Sequence, residues 1–167
     1  MPMLSRKAIL MYSALSLIAV AVALLAVSLH ANRPSAQFSS FIFNNHTYAF
    51  TYVASNLSEW ETGLMNKTVT NSTFELFIFP TPNIYPFWMK DTYYPLDIIW
   101  INGTRVVYIA YAIPCSWYSK GQSSCIIYNP YNSSAQGDGH IANYVIEAPG
   151  GFANATGMSV GDTVRIT

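Results

Sequence analysis

Charge is what this chain has least of. Asp, Glu, Lys and Arg make up 10% of its 167 residues, and the formal net charge is +0. Such a surface has no basic patch, so nucleic-acid binding lacks its electrostatic footprint. Histidine is scarce too, and only His46 and His140 fall within the part of the chain that reads as a domain. With two cysteines beside them, a metal site would be short of ligands, and none is expected. No phosphate loop, dinucleotide fingerprint, internal repeat or long low-complexity tract is present, so no cofactor is expected either.

One segment has no charge at all. Arg6 and Lys7 precede an uncharged run from Ala8 to Leu29. As a helix these residues extend roughly 33 Å, enough to cross a hydrocarbon core of about 30 Å. The basic pair predicts residues 1–7 on the cytoplasmic side, a transmembrane helix or signal anchor over 8–29, a linker over 30–38, and an extracytoplasmic domain over 39–167. Two alternatives remain open. A signal peptide could be cut after the small residues Ala26-Val27-Ser28, releasing a secreted domain. A prepilin-like leader could be cut after Ala8, which would fit a surface-filament subunit.

In the absence of charge, solubility must come from neutral polar groups. Asn-x-Ser/Thr sequons occur at Asn45, Asn56, Asn66, Asn71, Asn102, Asn132 and Asn154. That exceeds what random placement of these residue types would give. Loops rich in Asn and Ser also create sequons by chance, but N-glycosylation of an exported domain agrees with the topology read from the charges. It fits an archaeal or eukaryotic cell surface. Scarce carboxylates carry a further expectation, since acid denaturation comes largely from protonating carboxylates that the fold needs charged. The composition therefore points to a hot or acidic exterior. In that setting Cys115 and Cys125 are expected to form a disulfide closing a short loop, worth about 2–3 kcal/mol.

The domain reads as mainly β, a compact small barrel or sandwich with one short helix. Residues 41–43 and 47–53 are rich in aromatic and β-branched side chains, and Asn44-Asn45-His46 turns between them. Ser58 is placed to cap a short helix ending near Met65, with Glu59 and Glu61 in its first turn. Further strands are expected over 76–79, 87–90, 97–101, 105–112, 126–128, 144–147 and 164–166, with Asn102-Gly103 as a hairpin turn.

Chemistry concentrates in Trp88-Met89-Lys90-Asp91-Thr92 and Pro95-Leu96-Asp97-Ile98-Ile99. A hairpin through Tyr93 to Pro95 would bring Lys90 and Asp97 together. The plain reading is structural: a Lys90–Asp97 pair in which the lysine stem covers Trp88 while Asp97 accepts hydrogen bonds from turn amides. The sharper reading is a ligand pocket, with Trp88 or Trp100 as a stacking platform and Lys90, Asp91, Asp97 and Glu147 as polar contacts, suited to a glycan or a peptide. Asp91, Asp97 and Glu147 could also supply a carboxylate pair for hydrolysis. Gly157-Met158-Ser159-Val160-Gly161 matches a hydrolase elbow only in spelling, because no His follows it.

These motifs carry a resemblance. From Glu59 onward the chain resembles DUF192, a domain of unknown function found in bacteria and archaea. Glu61-Thr62-Gly63-Leu64-Met65 is similar to its Gly-Leu-Met segment, and Phe87-Trp88-Met89-Lys90-Asp91-Thr92 to its Phe-Trp-Met-Lys-Asn-Thr core. Pro114-Cys115 and Cys125 with Tyr128 resemble its cysteine-bearing loop. Tyr144-Val145-Ile146-Glu147, Gly150-Gly151-Phe152 and Val160-Gly161-Asp162 follow in the family's order. Two departures stand out. Phe74-Glu75-Leu76-Phe77 lies where the family usually has Gly-Met-Leu-Phe, and Asp91 replaces its Asn. The resemblance implies a compact, largely β fold and no established activity. The expectation is a membrane-anchored, non-enzymatic envelope module that binds or supports other envelope components. A small extracellular hydrolase using carboxylates near Lys90 is the runner-up, and a filament subunit the third reading.

Overall fold

A computed structural model of the protein describes residues 38–117, 125–130 and 141–167. The predicted span 8–29 lies outside these residues, as do most of the linker, Asn132 and His140. Among the described residues no helix is long and apolar enough to cross a membrane.

In chain order the elements are β1 (Ser40–Phe43), β2 (His46–Ala49), β3 (Tyr52–Ala54), α1 (Leu57–Thr62), β4 (Glu75–Asn83), β5 (Phe87–Trp88), β6 (Leu96–Asn102), β7 (Arg105–Ala112), a 3-10 turn (Cys115–Trp117), β8 (Ile127–Tyr128), β9 (Ala142–Pro149), α2 (Phe152–Thr156) and β10 (Arg165–Ile166). They form a five-stranded sheet ordered β3-β4-β9-β6-β7, a three-stranded sheet ordered β10-β1-β2, and the pair β5-β8. The protein is thus mainly β, with two short helices where one was expected. The sheets are open rather than closed into a barrel, since β3 and β7 end the large sheet without pairing to each other.

Strand β6 shows why the large sheet sits at the centre. Its residues from Leu96 to Ile101 are all buried. Alternation sends Ile98 and Trp100 into one core and Ile99 and Ile101 into another. A strand covered on both faces needs apolar residues at nearly every position, which is the pattern seen. One core contains Phe77, Phe87, Met89 and Val145. The other contains Phe41, Phe74, Leu76 and Ile146, so the small sheet covers that face through β1.

The N-terminal hairpin forms as expected, in register from Ser40↔Ala49 to Phe43↔His46. Its turn holds Asn44 and Asn45 at φ of 47° and 61°, a left-handed region that Asn enters more readily than most residues. Helix α1 is capped by Asn56 rather than Ser58. The Glu59 amide donates to Asn56 Oδ1 (3.2 Å), and the Glu59 carboxylate reaches back to the Ser55 amide (2.6 Å). Helix α2 was not foreseen; at five residues it is too short to show a helical period.

The expected hairpin between 87–90 and 97–101 does not form. Strand β5 pairs with β8, and β6 pairs with β7 and β9. The chain leaves the extended conformation at Asp91, where φ is 49°, and the Thr92 amide closes a turn onto the Met89 carbonyl (3.3 Å). The disulfide between Cys115 and Cys125 is present, with Cα atoms 5.1 Å apart.

Asp97 does accept turn amides, those of Gly151 (3.1 Å) and Ala153 (2.7 Å). It thereby pins the start of α2 to β6, using a carboxylate that is only 3% exposed. Replacing Asp97 with Ala strands both amides beside the sheet. The expected loss is about 2–3 kcal/mol in the urea unfolding free energy of the full-length chain, with Asn recovering part of it. A loss below about 0.5 kcal/mol would contradict this anchoring role.

Candidate functional site

The central feature of the site is a pair of buried glutamates. Strands β4 and β9 run antiparallel with Glu75 directly opposite Glu147. Alternation along β4 places Glu75 on the face of Phe77 and Phe79, and along β9 it places Glu147 on the face of Val145. The two are 3% and 4% exposed. Like charges directly opposite on a sheet repel, and burial penalises each charge further.

The surroundings only partly offset this. Lys67 approaches Glu75 at 3.5 Å and lies over the Tyr52 ring at 3.9 Å from its centroid. The Leu64 amide hydrogen-bonds Glu147. Glu147 Oε2 has no hydrogen-bond partner among the described residues. Burial pushes the Glu75 carboxyl up to about 7 against the pull of Lys67. Burial and then the charge of Glu75 push Glu147 up to about 8. Near neutrality burial therefore keeps Glu147 mostly protonated and leaves Glu75 divided between its acid and carboxylate forms.

Gly63, at the end of α1, makes room for the pair. Its φ is 46°, and a Cβ there would lie 3.1 Å from the Phe77 ring and 3.5 Å from Glu147 Oε2. Two openings flank this segment. One is a groove of about 300 Å³ lined by Tyr52, Ser58, Glu59, Lys67 and Glu75, among others. The other is a crevice of about 20 Å³ lined by Trp60, Phe77, Phe87, Trp88 and Glu147, among others.

The residues singled out from sequence are distributed unevenly around this pair. Trp88 and Glu147 meet at the crevice. Trp88 is 43% exposed, and the Lys90 ammonium sits 5.3 Å from its ring centroid. Asp91 is half-buried at its left-handed turn, and its carbonyl receives the Asn66 amide (2.7 Å). Because Asn and Asp both tolerate that conformation, the family's Asn and this chain's Asp serve the turn equally. Trp100 is sealed in the core, donating to the Tyr85 carbonyl (2.9 Å). Asp97 belongs to the opposite face of the sheet with Ile99 and Ile101, so it does not converge with Glu147.

Glu75 and Lys67 were missed as site residues. The signal was available: Glu75 is a lone charge inside the apolar run from Phe74 to Phe79, in phase with Phe77 and Phe79. Among the sequon asparagines, Asn45, Asn56, Asn66, Asn71 and Asn154 are exposed and Asn102 is half-buried. Several have local tasks. Asn45 and Asn66 occupy left-handed turns, and Asn56 caps α1.

The family profile of DUF192, described as an uncharacterized ACR family, matches residues 43–166. The chain belongs to the DUF192 family. No curated protein matches it. Two solved structures share its fold. One is a proposed transcription regulator from Sinorhizobium meliloti 1021, 25% identical, covering 76% of this chain and 90% of that one, with a TM-score of 0.58. The other is a protein of unknown function from Novosphingobium aromaticivorans DSM 12444, 27% identical, covering 75% of this chain and 81% of that one, with a TM-score of 0.55. Against the Gly-Met-Leu-Phe pattern that its sequence resembles, this DUF192 domain has Glu at position 75.

The pair makes stability depend on pH in a defined direction. Both groups titrate near 4.5 when unfolded and near 7 and 8 when folded. The folded state thus holds more protons across that window, and stability falls as pH rises. The stabilisation is complete below about pH 4.5 and lost by about pH 8, at up to about 1.4 kcal/mol per pH unit for each proton released. Glu59 shifts the other way through its bond to the Ser55 amide, but it is exposed and screened. Denaturant midpoints should therefore rise from about pH 8 to about pH 5, and Glu147→Gln should flatten the rise. A wild-type midpoint that falls over this range would contradict the assignment.

Proposed function

We propose that this DUF192 protein is a non-enzymatic binding module held at the outer face of a cell membrane by its N-terminal segment, and that its ligand is an envelope glycan. The observation that carries the reading is buried Glu75, opposite Glu147 on the sheet and lining the larger groove. Two opposed carboxyls destabilise a sheet unless something uses them. Glu75 lines the larger groove, where its raised carboxyl can both accept from and donate to the hydroxyls of a sugar. Tyr52 beside the larger groove and exposed Trp88 beside the crevice supply aromatic faces of the kind on which pyranose rings stack.

The remaining composition supports the same setting. The sequon asparagines that are exposed can carry glycans on Nδ2 while Oδ1 continues to cap or accept, as at Asn56. A disulfide suits an oxidising exterior. The description of the Sinorhizobium structure as a proposed transcription regulator does not carry over, because Lys67, Lys90, Arg105, Lys120 and Arg165 are the only cations of the domain and face eight acids in the chain.

The carboxyl pair also supports a second reading, a small hydrolase with Glu147 as general acid and Glu75 as general base. The two readings separate experimentally. Saturation-transfer NMR on the full-length chain with neutral oligosaccharides (cellotriose, chitotriose, maltotriose) should show contact at Tyr52. Affinity should fall about tenfold for Tyr52→Ala, without release of shorter sugars. Cleavage lost on Glu75→Gln, in a variant that stays folded, would replace the binding reading with the hydrolase. Absence of transfer from all three sugars would overturn the glycan assignment.

A further inference from the structure

We infer that the crevice at Glu147 is a binding site for a single primary ammonium group, distinct from the larger groove. Three observations converge on it. The crevice, at about 20 Å³, accommodates one group the size of a water molecule or an ammonium. Glu147 lines it, is 4% exposed, and has an oxygen with no hydrogen-bond partner among the described residues. Trp60, Phe77, Phe87 and Trp88 line the same space, so a cation there would meet aromatic rings as well as a carboxylate.

The protein already uses this chemistry next door. The Lys67 ammonium is held between the Glu75 carboxylate and the Tyr52 ring. Glu147 with Trp88 and Trp60 repeats that combination of acid and ring, and none of the residues lining it is a lysine. Trp88 is able to take a cation on its face, since the Lys90 ammonium lies 5.3 Å from its centroid.

Charge balance favours one monovalent cation. Glu75 and Glu147 face each other across β4 and β9, Lys67 reaches Glu75 from the segment after α1, and Glu61 contributes to the crevice rim from α1. With Glu75, Glu147 and Glu61 ionised against Lys67 and the Lys90 ammonium over Trp88, one negative charge is left to neutralise. A divalent ion would need more donors, and among the described residues no three His, Cys, Asp or Glu side chains converge. A primary ammonium uses what is present: one carboxylate oxygen and aromatic faces. Binding converts the Glu147 acid to its carboxylate and releases one proton to solvent, so neutral acid and ammonium become an ion pair plus a hydrogen ion.

The test uses the purified full-length chain titrated with methylammonium chloride, with sodium chloride and tetramethylammonium chloride as matched controls. Expected is saturable binding at about pH 8.5, weakening about tenfold per unit below the Glu147 transition, with about one proton released per methylammonium near neutrality. Glu147→Gln, which keeps the shape of the protonated acid, should weaken binding at least about tenfold. Trp88→Ala, in a variant shown by circular dichroism to stay folded, should weaken it about threefold to tenfold. Glucosamine and Nα-acetyllysine amide then distinguish an amino sugar from a lysyl side chain as the source of the group. Equal responses to methylammonium and sodium would overturn the proposal, as would binding that survives Glu147→Gln. Failure of the neutral sugars to bind would leave it standing, because they address the other opening.

Discussion

The antiparallel register of β4 with β9 is the constraint on which the site depends. It sets Glu75 opposite Glu147, and a slip of one residue would turn one strand over and leave the two acids on opposite faces. The register is held by the apolar partners that follow: Leu76 faces Ile146 and Phe77 faces Val145, with these pairs packed into different cores. Covering both faces of the sheet therefore also keeps two acids together away from water. Neither core can relax the arrangement without exposing its own aromatic residues.

Other elements adjust to that constraint. Gly63 bends the end of α1 close to Glu147 because it lacks a side chain, and Lys67 enters from the next turn with its ammonium over the Tyr52 ring. Asn66, at φ 57°, redirects the chain just before Lys67 and receives the Tyr93 hydroxyl at Oδ1 (3.1 Å). On the far face Asp97 performs a purely structural task. Two conspicuous carboxylates on neighbouring strands, Asp97 and Glu147, thus serve opposite sides of the sheet.

Much of the fold was legible in the sequence, for physical reasons. Aromatic and β-branched runs separated by Asn-Asn and Asn-Gly turns mark β1, β2, β6 and β7, because their backbone requirements are local. Pairing partners were less legible. Strand β5 contains two residues and joins β8 across a long stretch of sequence, a non-local choice invisible to periodicity. That is why Lys90 and Asp97 looked like neighbours. Glu147 and Trp88 were found because an acid or an exposed ring in an apolar segment is conspicuous. Glu75 was read as a departure from a motif rather than as a partner, since nothing local states which strand lies beside β4.

The disulfide has a reach beyond its own loop. Cys125 lies just before β8, whose Ile127 pairs with Trp88 and whose Tyr128 receives the Ile113 amide at its hydroxyl (3.0 Å). Among the described residues strand β5 pairs with this short strand alone. The ring that walls the crevice is therefore steadied through a covalent link on a separate segment. In this architecture the redox poise of the surroundings becomes part of the geometry of the site, and a reducing compartment would hold the same chain with a looser wall.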